Sequence, residues 1–235
     1  MDGPFIGRKR ELYRVLEAAT KFGKKILSEH EAKKFLSLAG IPATKEFLVT
    51  TLDAAQKAAE EIGFPVVLKG ASLDLTHKTE LDLVKLDIRN GIELRIAFEG
   101  IVENPKASCQ GVLVQEMVSG ERELIVGLAR DIQFGPAVMF GIGGIFAEVL
   151  KDICFRLAPL NEQTANQMLE DIRMRKMLGP LRGKQGVDRK RLVQILITIG
   201  NIGLEFEEIR DIDINPLMID KAGNPVAVDA LIAFS

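Results

Sequence analysis

Apolar residues recur at helical and at strand spacing in successive stretches of the 235-residue chain. In "SEHEAKKFLSLAGIP", Ala32, Phe35, Leu36 and Ala39 fall on one helical face. Ser28 and Glu31 form a capping box at the start, and Gly40 and Pro42 stop the helix. "ATKEFLVT" reads as a short strand, "TTLDAAQKAAEEIG" as a second capped helix ending at Gly63, and "FPVVLKG" as an apolar strand ending in Lys69. After a polar loop, "LVKLDI" alternates as a strand, "GIELRIAFEGIVENP" suits a helix, and "GVLVQEMV" is an apolar strand. "RELIVGLARD" and "GPAVMF" are strands with turns at Asp131 and Gly135, and "GIFAEVLKDICFRLAPL" reads as two more. One helix, entered near Asn161, is stopped by Gly179-Pro180; another, entered at Asp188, carries Leu192, Ile195, Leu196 and Ile199.

The chain closes on "DIDINPLMIDKAGNPVAVDALI". Ile212 and Ile214 point one way along a strand, and Asp211, Asp213 and Asn215 point the other. A turn centred near Ala222 and Gly223 returns the chain and sets Asp229 roughly opposite Asn215. Strands and helices mix without strict alternation, which predicts an α+β architecture with antiparallel sheets. A boundary near Val118 gives lobes at 27–117 and 118–235, preceded by an N-terminal extension at 1–26.

Composition narrows the class. With 47% hydrophobic and 27% charged residues this is an ordinary globular chain, and a net charge of −2 argues against a nucleic-acid platform. Residues 1–25 hold seven Lys/Arg, and residues 173–191 hold eight against one acid. Both read first as solvated faces, and only second as attractors of a phosphorylated ligand. Cys109 and Cys154 lack the number for a disulfide framework and the spacing of a zinc site, and read as reduced core thiols. With no secretory leader and no membrane-length apolar segment, the expected location is cytoplasmic.

Several residues carry candidate chemistry. Lys69 ends a buried-type strand, where a lysine usually snorkels to solvent; the alternative is a point charge aimed at phosphate oxygens. In that alternative it contributes phosphate binding and not strand stability. Glu116 and Glu123 are either surface acids around a lobe linker or the frame of an adenine slot, whose following carboxylate accepts ribose hydroxyls. The glycines of "MFGIGGIFAEVL" serve a tight turn or let amides approach a phosphate. Asp213, Asn215 and Asp229 are either a solvated face or oxygen ligands for Mg²⁺ with nucleotide phosphates. His77, in the polar loop "SLDLTHKTELD", is either inert or a phosphate acceptor. His30 sits in the first turn of a capped helix, where a positive charge meets the unfavourable end of the dipole, and is the poorer acceptor.

Together "GVLVQEMV", "RDIQFGPAVMFGIGGIFAEVLKD", "FRLAPL" and "DINPLMID…AVDALI" resemble, in order and spacing, the ATP-grasp β subunits of ADP-forming acyl-CoA (acetate–CoA) ligases, relatives of succinyl-CoA synthetase. The resemblance runs from about Leu27 to Ala233. It implies two α/β lobes with mainly antiparallel sheets clamping ATP or ADP. By it, Lys69 holds phosphates and the Glu116–Met117 hinge reads adenine. Glu123 holds ribose, and the Gly141–Gly144 loop, with Gly143 and Gly144, and Arg156 lie near the phosphates. Asn215 and Asp229 hold Mg²⁺ with Asp213 beside them. It further implies a hetero-oligomer with a CoA-binding α subunit carrying a phosphorylated histidine, whose phosphate reaches ADP by a relay involving His77, and neither nucleic acid nor membrane as partner. Where the family often reads "HKSDVGGV", this chain reads "HKTELDLV", with Asp82 and Leu83 in place of glycines. An added carboxylate there repels phosphate, and losing glycine stiffens the loop. Two other functions fit the same motifs: a nucleotide-binding regulatory or scaffold subunit, and a stand-alone ATP-grasp carboxylate ligase, for which the chain leaves little room for a substrate domain.

Overall fold

The computed structural model describes residues 5, 7–21, 23–71, 83–104, 109–120, 122–144, 151–181 and 183–235. They form two compact units: a larger one of Met1–Leu27, Glu31–Ala43 and Ser119–Ser235, and a smaller one of Ser28–His30 and Thr44–Val118. The N-terminal extension does not stand apart. Helix α1 (Lys9–Lys21) buries Leu12, Leu16 and Ala19, and Phe5, Tyr13 and Phe35 gather around Phe206 in the larger unit. Its narrow stripe at i, i+4 and i+7 is enough to join the core although basic side chains surround it in sequence. Helix α2 (Glu29–Leu38) begins in the smaller unit and gives Phe35 and Leu36 to the core of the larger.

In the smaller unit, β1 (Glu46–Val49), β2 (Val66–Ala71), β3 (Val84–Ile88) and β4 (Gly111–Glu116) form an antiparallel sheet in the order β1-β4-β2-β3. Helices α3 (Leu52–Ile62) and α4 (Gly91–Val102) pack on it. Each starts at a side-chain cap: Thr51 accepts from the Ala54 amide, and Asn90 from those of Ile92 and Glu93. Leu68 pairs with Val114 inside this core, so the next residues along, Lys69 and Leu113, point to the opposite face. Leu83, which stands where the resemblance expects glycine, is fully buried in this core. A leucine there supplies packing.

In the larger unit, β5 (Arg122–Asp131), β6 (Gly135–Ile142), β7 (Ile153–Leu157), β8 (Ile209–Ile219) and β10 (Ala230–Phe234) run antiparallel in the order β10-β8-β5-β6-β7, with β9 (Pro225–Ala227) also on β8. Helices α5 (Glu162–Asp171) and α6 (Arg189–Glu205) pack on one face. Asp188 caps α6 by accepting from the Arg191 amide, and Leu192, Ile195, Leu196 and Ile199 fill the core. Arg130 closes the other end, donating to the carbonyls of Gly203, Phe206 and Ile209. Helix α5 ends at Asp171, well short of Gly179-Pro180. The buried Asp152 carboxylate takes the Arg173 and Met174 amides at 2.8 Å each, and a 3₁₀ turn (Arg175–Leu178) continues the chain. Both cysteines are free thiols. Burial pushes the Cys154 thiol up to about 11, which suits an inert residue. Among the described residues no helix is long and apolar enough to cross a membrane.

Candidate functional site

In the smaller unit Lys69 does not reach solvent. Its Nζ donates to Glu29 Oε1 at 2.6 Å, and the two side chains are 6% and 3% exposed. Beside it His30 Nδ1 lies 2.8 Å from Glu46 Oε1, so the first turn of α2 meets the sheet through two side-chain contacts. At the end of β4, Glu116 is stapled to Lys45: its carboxylate accepts the Lys45 amide at 2.8 Å, and its own amide donates to the Lys45 carbonyl at 2.9 Å. Half-buried Met117 follows in an irregular stretch leading to the boundary at Val118.

The buried pair corrects the expectation that Lys69 is irrelevant to stability. Removing one partner of a buried ion pair strands the other charge. Lys69→Ala is therefore expected to lower stability by about 3–5 kcal/mol, measured as a fall in the urea midpoint at constant m-value. An unchanged midpoint would show that Glu29 and Lys69 are not paired in this way.

In the larger unit the site residues sit on the sheet face away from α5 and α6. Cross-strand partners share a face, so Asp213 (β8), Gly127 (β5), Met139 (β6) and Phe155 (β7) form one row on it. Leu217 pairs with Ala227 and Ile214 with Ala230, leaving Val228 and Asp229 to face Pro216 and Asn215 across the bend between β9 and β10. The Val228 amide donates to the Pro216 carbonyl at 3.1 Å, fixing that bend. Asp213, Asn215 and Asp229 thus share a corner. Loss of water raises the Asp213 carboxyl above its ordinary range, and the Asp229 charge raises it further. Two carboxylates and a carboxamide placed together suit a hard, oxygen-seeking cation such as Mg²⁺, which uses one or two carboxylates and takes its remaining ligands from water and phosphate. Among the described residues no cage of three or more His, Cys, Asp or Glu competes with this corner.

The glycine loop meets Glu123. The Gly143 amide donates to the Glu123 carbonyl at 2.7 Å, and a Cβ on Gly143 would lie 3.1 Å from Glu123 Cβ. Gly144 has φ +66°, and a Cβ there would come within 3.0 Å of Glu123 Oε2. Gly143 therefore serves close approach, and Gly144 serves both close approach and a left-handed backbone. Gly141 lies within β6, before the loop.

Arg156 is not brought to the Asp213 face. It pairs across β6 with fully buried Val138, which places it on the helix-covered side of the pleat, and its guanidinium is ion-paired with Asp171 of α5. His77, with Lys78 and Asp82, lies outside the described residues. Two buried charges of α2 escaped sequence reading: Glu29, and Lys33, which is 2% exposed and donates to the Val228 carbonyl at 3.1 Å beside Asp229. They stand at i and i+4 on the flank of the α2 apolar stripe, and that helical position was the available signal.

Known proteins share this fold. The sequence profile of the ATP-grasp domain matches residues 18–234. The β subunit of ADP-forming acetate–CoA ligase I from Pyrococcus furiosus is 42% identical over 209 residues, covering 87% of this chain and 90% of that one. The β subunit of ligase II from the same organism is 38% identical over 231 residues, covering 95% and 98%. The dinucleotide-forming acetyl-coenzyme A synthetase 1 of Ca. Korarchaeum cryptofilum was solved with coenzyme A and Mg-AMPPCP, its phosphohistidine segment pointing towards the nucleotide-binding site. It superposes with a TM-score of 0.85 at 42% identity, covering 95% of this chain and 100% of that one. With the domain profile and the relatives in agreement over nearly its full length, the chain belongs to the ATP-grasp family, among the β subunits of the ADP-forming acetate–CoA ligases, which are acid–thiol ligases.

Proposed function

We propose that the chain binds ADP or ATP with Mg²⁺ and moves a phosphoryl group between a phosphohistidine and that nucleotide. The observation that carries this is the corner of Asp213, Asn215 and Asp229, two carboxylates and a carboxamide brought together as an oxygen donor set in a chain of this family. Mg²⁺, when bound, neutralises phosphate charge. Asn215 and Asp229 hold it, with Asp213 beside them. Glu123 accepts the ribose hydroxyls, the Gly143 and Gly144 backbone lies along the phosphates, Lys69 supplies a fixed positive charge, and Glu116–Met117 read the adenine.

A β subunit works with an α subunit, and the solved relative holds coenzyme A and a phosphohistidine segment. In this reading the partner binds acyl-CoA. Orthophosphate displaces the CoA thiolate there to give an acyl phosphate; a histidine takes the phosphoryl group and releases the carboxylate; ADP then takes it from the histidine, by way of His77, to give ATP. The regulatory and stand-alone readings are not favoured, because relatives matched along 90% and 98% of their lengths are ligase subunits.

The test is calorimetric titration of ADP with and without Mg²⁺. Binding that needs the metal is expected, at a Kd on the order of micromolar, about −8 kcal/mol. Absence of nucleotide binding by the folded chain would remove the proposal.

A further inference from the structure

We infer that Glu29 is a counter-charge that competes with nucleotide phosphate for Lys69, and so sets how tightly this chain holds its nucleotide. The inference rests on the nucleotide reading above and adds a residue to it.

Stability does not account for the pair. Both groups are buried, Lys69 on a sheet face that carries Val67, Leu113 and the buried Gln115, and Glu29 in the first turn of α2. Exchanging a buried ion pair for apolar groups of similar volume is often neutral or stabilising, because two desolvation penalties disappear. The lysine is explained by its phosphate role; the carboxylate then needs its own reason. A buried ammonium with no anion nearby is costly, and in the nucleotide-free unit Glu29, at 2.6 Å, supplies that anion. Its place in the first turn of α2 favours a negative charge, and the His30–Glu46 contact one residue on holds that turn against β1.

An anion so close to the ammonium has a second effect. A nucleotide phosphate approaching Lys69 meets a charge already engaged, and the Glu29 charge repels it. Binding is weaker than a free ammonium would give. For a reaction that runs both ways, a site that held phosphates more tightly would lower KM and retain the product, with no gain in kcat.

The experiment compares ADP with adenosine, which has no phosphate, by calorimetry at fixed Mg²⁺. Glu29→Gln keeps volume and a hydrogen-bond acceptor but removes the charge. It is expected to tighten ADP binding about tenfold and to leave adenosine binding unchanged. In the complex with the α subunit, KM for ADP falls and kcat does not rise. Glu29→Asp, which keeps the charge, stays close to wild type, and the tightening vanishes in a Lys69→Met background. Should Glu29→Gln not fold, Glu29→Ala is read by the same criteria.

Unchanged or weaker ADP binding in the folded variant overturns the inference, as does equal tightening for adenosine or tightening that survives in Lys69→Met. Failure of wild type to bind ADP defeats the nucleotide reading and this inference with it. Normal ADP binding by both wild type and Lys69→Met defeats the inference alone.

Discussion

Asp229→Ala is expected to weaken Mg²⁺-dependent ADP binding by about 10- to 100-fold, the scale of one charge-assisted contact at 1.5–3 kcal/mol. The corner holds only two carboxylates and one carboxamide, so losing one carboxylate removes half of its formal charge. Asp229 lies at the bend between β9 and β10, and its charge repels that of Asp213. The melting temperature of the metal-free variant is measured alongside, so that affinity is compared on folded protein. The sign with pH follows from the same repulsion. The Asp213 carboxyl titrates above the ordinary carboxylate range, so its proton opposes the metal earlier as pH falls, and Mg²⁺ affinity should start to drop above that range. In Asp229→Ala the onset moves down. Isothermal titration with Mg²⁺ at several pH values reads both effects. Unaltered metal-dependent affinity in the folded variant would sink the assignment.

That corner was legible in the sequence because its geometry is local. The turn at 220–224 is fixed by its own residues: Asp220 Oδ1 accepts the amides of Ala222 and Asn224, and the register of the hairpin follows from its centre. Helix α6 was legible for the same reason, since its cap and apolar stripe lie within a few residues of each other. Features that depend on distant partners were not. Nothing near Lys69 announces Glu29, 40 positions away, and so a lysine that looks like a surface residue is buried. Asp152 ends α5 from about twenty positions upstream, and no stop signal near Asp171 could show it. Arg156 was placed by resemblance, but the face of a strand is set by its register with Val138. The stripe of α1 was too narrow to stand out among seven basic residues.

His77→Ala, in the complex with the α subunit, is expected to keep ADP binding intact and to lower ATP formation from acetyl-CoA, phosphate and ADP by at least about a thousandfold. The chain has only two histidines. His30 is held against Glu46 at 2.8 Å in the first turn of α2, where a fixed acidic partner and the helix terminus suit a structural role. His77 follows the Lys69 strand in sequence, within the polar stretch that carries the His-Lys pair of the family, and it is the remaining histidine. The purified chain alone should make no ATP from acetyl-CoA, because its site residues are taken up by nucleotide and metal, and in-line transfer needs the donor positioned by a partner. The comparison is made by following ATP with the α subunit present or omitted, for wild type and for His77→Ala. Full-rate synthesis by the variant complex would remove His77 from the relay. Synthesis by wild type without a partner would overturn the two-subunit mechanism, since one chain would then contain the acyl, CoA and phosphoryl sites together.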